Sequence, residues 1–255
     1  MRYFLELSYD GTRYSGFQVQ DGQETIQSQV TKALETLFRQ SFSLTGSSRT
    51  DAGVHALQNF FHFDSSLEFT SKHRYNLNAI LPSDIAISAI YRVADDAHCR
   101  FDAIQRSYKY LIYRQKNPFM VNRGWLFPYP VNKTLLDRMA LVLMEYSDFT
   151  SFSKRNSQVK TYICSIRSSY WEEGVDGALT YRIISNRFLR GMIRGIVGTM
   201  MRIARMEVSV QEGEQLFRSI IESKDCTHAD FTTPAKGLYL ESVAYPEGML
   251  LQIIE

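Results

Sequence analysis

The chain has 255 residues, long enough to bury a substantial core as one large domain or as two fused halves. Hydrophobic residues make up 44% and charged residues 22%, the composition of an ordinary soluble globular chain. The formal net charge is only +2, which rules out a strongly basic whole-molecule footprint and leaves any nucleic-acid contact to local patches.

In chain order, residues 3–9 alternate. Tyr3, Leu5, Leu7 and Tyr9 share one face and Phe4, Glu6 and Ser8 the other, which predicts a strand ended by the turn Asp10-Gly11-Thr12. From Glu24 to Arg39 the apolar residues Ile26, Val30, Ala33, Leu34, Leu37 and Phe38 keep a helical period. Gln58–Phe63, Ile85–Val93 and Gln105–Tyr113 read as strands. The stretch Arg114–Pro130, with Pro118, Gly124, Pro128 and Pro130, reads as a connector. Asn132–Glu145 is amphipathic, and Thr161–Trp171 with Ala178–Asn186 predict a hairpin. Phe188–Arg205 and Val210–Glu222 read as helices and Gly237–Tyr245 as a closing strand. Strands outnumber crossover helices, so the expected class is α+β with a mostly antiparallel sheet. The expected lobes are 1–115 and 116–255, forming one continuous catalytic unit.

Cys99, Cys164 and Cys226 are sparse and odd in number, which gives no disulfide framework and reads as a reducing cytoplasm. His98-Cys99 and Cys226 with His228 fit no standard zinc spacing, so no metal is expected. Charge at Arg2 and Glu6 speaks against a signal peptide. No apolar run approaches the ~20 residues of a membrane span.

The segment richest in chemistry is Gly46-Ser47-Ser48-Arg49-Thr50-Asp51-Ala52-Gly53-Val54-His55-Ala56, a loop between a helix and a strand. Arg49 and Asp51 are two apart, so an extended backbone puts both on one side. A neighbouring guanidinium keeps a carboxylate ionised, and an ionised, positioned carboxylate can act as a nucleophile. Two other readings stay open on these residues alone. One is an ordinary ion pair in a polar loop. The other is an Asp51–His55 acid–base dyad in a hydrolase. Farther on, Arg187, Gly191, Arg194, Gly198 and Arg202 follow a 4-3-4-4 spacing, near one stripe of a helix. Such a stripe is either a solvated face or a phosphate-binding one.

The loop resembles the Arg-Thr-Asp-x-Gly-Val-His signature of the TruA-type tRNA pseudouridine synthase A family. Other blocks resemble that family in order: Tyr9–Gln20, Asn78–Ile85, Phe101-Asp102-Ala103 with Arg106–Tyr110, Asp148–Phe152, Phe188–Gly198 and Pro234–Leu240. The resemblance implies the pseudouridine synthase fold, with two pseudo-repeated lobes, a mostly antiparallel sheet flanked by helices, and a central active-site cleft. It implies a homodimer that takes tRNA and modifies uridines at positions 38–40 of the anticodon stem-loop. No redox or group-transfer step is involved, so no cofactor is expected.

The resemblance also distributes roles. Asp51 is the implied nucleophile, Tyr108 the aromatic that packs on the target base, and Arg194 the guanidinium that points at Asp51. Tyr108 shares a strand face with Arg106, Tyr110 and Ile112, and on strand propensity alone is one tyrosine among fifteen. Arg49, Arg187, Arg190 and Tyr110 are the implied substrate-binding set. If one helix carries both, Arg190 and Arg194 are offset by ~40°, so Arg190 reaches outward to phosphate while Arg194 turns inward. Phe17 stands where the family usually has Trp, Ser48 where Gly is frequent, and Cys99 where a small Ala is common. These departures leave open a paralogue acting on another RNA; a non-catalytic RNA-binding relative is a separate alternative, against which the intact Arg49, Asp51, Tyr108 and Arg194 set argues.

Overall fold

A computed structural model describes residues 1–155 and 159–250. Among them are nine strands, in mixed parallel and antiparallel pairing, and five α-helices, an α+β fold. The chain divides into two compact units: Met1–Arg106 joined by the chain from Tyr239 onward, and Ser107–Leu238.

In the first unit, β1 (Arg2–Tyr9) is central and pairs antiparallel with β3 (His55–Asp64) on one side and β4 (Ile85–Val93) on the other. The short β2 (Thr45–Gly46) lies antiparallel on β3, and β9 (Leu238–Ala244) pairs with β3 in parallel at His55–Tyr239 and Ala56–Leu240. The β1–β3 register shifts between Leu7 and Tyr9, because Leu7 faces Asn59 while Tyr9 faces Ala56. Such a bulge re-aims the strand, and here it does so at the end that carries the Asp51 loop. The Gln58 side chain, inside the shift, accepts the Val243 N–H at 3.0 Å and ties β3 to β9.

Helix α1 (Ile26–Phe38) starts at a capping box of Thr25 and Ser28 and buries Ile26, Val30, Ala33 and Leu34. Helix α2 (Ser71–Ile80) is not foreshadowed by periodicity, because Leu77 is its one buried residue. Partners outside the helix fix it. His73 Nδ1 accepts the Thr70 N–H at 3.0 Å, and the Asn78 amide bonds both N–H (2.7 Å) and C=O (2.9 Å) of Ile87. The core of this unit is aromatic: Phe4, Phe60, Phe61 and Phe63 are all enclosed.

In the second unit, β5 (Gln105–Tyr113) lies beside β8 (Leu179–Ser185), which pairs antiparallel with β7 (Ile166–Glu173). The short β6 (Trp125–Leu126) pairs in parallel with β5. Helices α3 (Lys133–Val142), α4 (Met192–Ile203) and α5 (Val210–Glu222) pack on one another, and α3 also packs on β7. Gly213 of α5 faces Leu135 of α3 so closely that an added Cβ would lie 2.5 Å from its Cδ2. None of the described helices is long and apolar enough to cross a membrane.

Candidate active site

The Asp51 loop is fastened to the opening block by two glycines. A Cβ on Gly11 would lie 2.0 Å from the Val54 carbonyl oxygen, and one on Gly16 would lie 2.9 Å from that of Thr50. Gly16 also has φ +95°, where a side chain is strained. This backbone-on-backbone approach lets Phe17 N–H donate to Thr50 O at 3.1 Å. Polar side chains complete the fastening. The Tyr9 hydroxyl meets Thr50 Oγ1 at 2.8 Å, and Asn59 Nδ2 donates to Ser48 O at 2.9 Å and to the Tyr9 hydroxyl at 3.2 Å. Val54 N–H then closes a turn onto Asp51 O at 3.2 Å, with Gly53 at φ +76°. The half-buried Asp51 thus sits at the corner of a turn whose flanks cannot slide.

The opening block is itself anchored by Asp84, a residue for which the sequence suggested no role. Its carboxylate bonds Arg13 Nε at 2.7 Å and the Tyr14 hydroxyl at 2.5 Å, and its carbonyl accepts Asp10 N–H at 2.9 Å. Burial pushes the Asp84 carboxyl up, but Arg13 and Tyr14 together outweigh it and hold the group below its usual 3.8. Burial and the Asp84 carboxylate push the Tyr14 phenol up to about 12.

Phe17, the residue in place of Trp, is enclosed and stacks on Phe61 with centroids 4.5 Å apart at 10°. Its ring fills the space over Gly46, where a Cβ would lie 2.3 Å from Phe17 Cε1. His55 is buried, with Nδ1 3.1 Å from Gly11 N and 3.2 Å from Asp10 Oδ1, and its ring stacked on Tyr239. One nitrogen cannot accept from Gly11 and donate to Asp10 at once. The backbone N–H can only donate, so in the Gly11 contact Nδ1 is the acceptor. His55 is therefore a fastener between β3, β9 and the opening block. Arg49 is exposed and makes no hydrogen bond or ion pair among the described residues, so the local Arg49–Asp51 pair read from spacing does not form.

In the second unit, Tyr108, Tyr110 and Ile112 alternate onto the buried face of β5. Tyr108 meets Phe188 edge-on, with centroids 5.0 Å apart at 76°. Tyr110 is fully enclosed. Its hydroxyl donates to Pro234 O at 2.7 Å, its ring closes over Gly237, and burial pushes its phenol far up. Tyr110, which the resemblance places in the substrate-binding set, is thus a packed core residue here.

The arginine segment departs most from expectation. Helix α4 begins at Met192, because Gly191 takes φ +75° as its N-cap. Arg187 and Arg190 precede the helix, so the common stripe and the 40° offset do not apply to them. Arg190 is exposed at this turn, and its carbonyl accepts Lys154 N–H at 3.0 Å. Arg187 is half-buried near Cys164. The helical glycines admit the chain's own backbone: a Cβ on Gly198 would lie 2.3 Å from Asp230 O, and one on Gly195 would lie 2.7 Å from the Phe231 ring. The strap at 230–233 so seated holds Arg194 from both ends. Arg194 Nε donates to Thr233 O at 2.7 Å, and Thr233 Oγ1 donates to Arg194 O at 2.9 Å. Arg202 donates to His228 O at 2.7 Å, and Arg205 stacks 4.3 Å over Tyr129.

Taken separately, the first unit presents a carboxylate on a fixed turn, and the second a buried tyrosine and a clamped arginine. A family model described as tRNA pseudouridine synthase matches residues 7–102 and 146–246. The chain belongs to the tRNA pseudouridine synthase family. It is 42% identical over 246 residues to tRNA pseudouridine synthase A of Azobacteroides pseudotrichonymphae, covering 96% of this chain and 97% of that one. The protein of that name from Bacteroides fragilis is 41% identical, covering 96% and 97%. The Staphylococcus aureus (strain MRSA252) protein is 34% identical, covering 99% and 95%. The two matched segments of the family model include Asp51 and Arg194, whereas Tyr108 and Tyr110 fall between them. Among the described residues no three His, Cys, Asp or Glu side chains cluster to hold a metal ion. Cys99 is enclosed; its thiol donates to Thr45 O at 3.2 Å, and burial pushes it up to about 12.

Proposed function

We propose that this chain converts uridine to pseudouridine in tRNA, at positions 38–40 of the anticodon stem-loop, with Asp51 as the nucleophilic carboxylate. Full-length kinship with proteins named tRNA pseudouridine synthase A carries the reading. The Asp51 loop supports it, since a nucleophile on a backbone pinned on both flanks meets the geometric demand of catalysis without substrate present. The reaction breaks the N1–C1′ bond, turns the uracil, and joins C5 to C1′. The proton lost from C5 is matched by one gained at N1, so substrate and product are isomers and no group donor or oxidant enters. A stacked base must leave the helix to be reached.

By the family's motifs, Tyr108 takes the place of the aromatic that packs on the target base, and Arg194 that of the guanidinium that supports the nucleophile. Arg49, Arg187 and Arg190 are proposed as phosphate contacts, a homodimer as the working form and the cytoplasm as its compartment. Incubating the protein with unmodified tRNA and mapping pseudouridine tests the reading. Pseudouridine at 38–40 supports it, modification only elsewhere makes the chain a paralogue with another target, and binding without product makes it a non-catalytic relative.

A further inference from the structure

Within the first unit, a solvent-open pocket of about 180 Å³ lies beside the Asp51 loop, lined among others by Arg49, His98, Arg100, Phe101, Gln18 and Gln27. Its floor is rigid. Gln27 spends both ends of its amide on backbone, accepting from Val19 N–H at 3.1 Å and donating to Leu44 O at 2.9 Å. The turn carrying Arg100 and Phe101 is tied from below. His98 Nδ1 accepts the N–H groups of Arg100 (3.1 Å) and Phe101 (3.3 Å), and Asp102 accepts His98 N–H at 2.7 Å. The buried Arg106 donates to Arg100 O at 2.6 Å and to Ala103 O at 2.8 Å.

On this scaffold Phe101 stands 74% exposed. One face of its ring is covered by the His98 imidazole, with centroids 4.2 Å apart. The Arg100 guanidinium lies 5.7 Å from the same ring. Arg49 and Arg100 are both exposed, and neither has a carboxylate partner among the described residues. A solvent-facing phenylalanine held in one orientation forfeits the gain of burial. It suits a ligand with a flat face, and two uncompensated guanidinium groups beside it suit an anion. A nucleotide supplies both.

We propose that Arg100 and Phe101, with Arg49, form a subsite that grips one unpaired nucleotide flanking the target uridine. Its phosphate lies between the arginines and its base against Phe101, while His98 and Arg106 position the platform. The inference rests on the proposed RNA activity for its ligand and on the short chain distance from Arg49 to Asp51 for its place. It adds a binding element remote in sequence from the nucleophile loop.

The test measures binding of an unmodified anticodon stem-loop RNA by fluorescence anisotropy, together with pseudouridine formation, in Phe101→Ala, Phe101→Trp and Arg100→Gln. Tyr75→Ala, at an exposed site on α2, serves as control. Phe101→Ala weakens binding about tenfold, the loss falling on KM more than on kcat, and Phe101→Trp restores it. Arg100→Gln lowers the salt slope of binding by about one. Wild-type binding in both Phe101→Ala and Arg100→Gln, with wild type still forming pseudouridine, overturns the subsite and leaves the activity standing. Loss of binding in Phe101→Ala with no pseudouridine from wild type supports the subsite and overturns the activity.

Discussion

The Asp51 loop and the arginine segment at 187–205 are the two parts of the chain with the most sequence signal, and they fold by different rules. The first is held by backbone groups that glycines allow to touch, so Gly11, Gly16 and Gly53 have one geometric reading each. The second is a row of long side chains whose partners lie elsewhere. Arg194 Nε and Arg202 each donate to a carbonyl of the 228–233 strap, and Arg205 stacks on Tyr129. Spacing along a helix says which residues share a side, but not which carbonyl arrives there. Charge in a pattern is therefore a weaker guide to function than a glycine that must stay a glycine.

The largest effect is expected at Gly11. Gly11→Ala forces a Cβ onto the Val54 carbonyl, costs about 1–3 kcal/mol of stability, and lowers turnover at least tenfold by moving the Asp51 turn. Thermal melts and single-turnover assays check both. Gly198→Ala is the counterpart in the second region, where the Cβ meets Asp230 O and Thr233 Oγ1. It costs a similar amount, and because the strap clamps Arg194, kcat falls with it. A Gly198→Ala enzyme of wild-type activity would show that the clamp does not matter.

Smaller effects sharpen the contrast among arginines. Arg190→Gln is expected to lower the salt slope of RNA binding by about one, whereas Arg202→Gln and Arg205→Gln leave it unchanged, because their guanidinium groups serve the fold. A last effect bears on stability alone, as a pH dependence. Burial, with His98 and Arg2 adding to it, lowers His62 to about 4, so the ring stays neutral in the folded protein while an unfolded chain takes a proton below about 6.5. The unfolded state therefore binds more protons between those values. Stability is complete above that window and falls as pH drops from about 6.5 towards 4, with uptake approaching one proton on unfolding. His62→Asn flattens that limb in denaturant titrations across pH.

Much of the fold was legible because its periods are local. Strands β4 and β5 and helix α5 have the limits their alternation or helical period implies. Helix α2 was not, since SKHRYNLNAI has no apolar stripe and is held by Asn78 and His73. The start of α4 was misplaced because Gly191 reads as a helical small residue until its φ of +75° is seen. The parallel return of β9 onto β3 joins residues far apart in the chain, which no local pattern encodes. At the site, Asp51 stood out through its motif. Asp84 and Phe101 lay in resembling blocks without an assigned role, because their meaning lies in what they touch or leave exposed.

In the proposed reaction Asp51 supplies nucleophilic charge from a loop that holds its shape without it. The direct measurement is pseudouridine formation and RNA affinity of Asp51→Asn on unmodified tRNA, since Asn keeps the shape and removes the charge. No detectable pseudouridine is expected, with affinity within about threefold of wild type, well under the tenfold that ~1.4 kcal/mol represents. Isomerase activity above a trace in a clean preparation would contradict it.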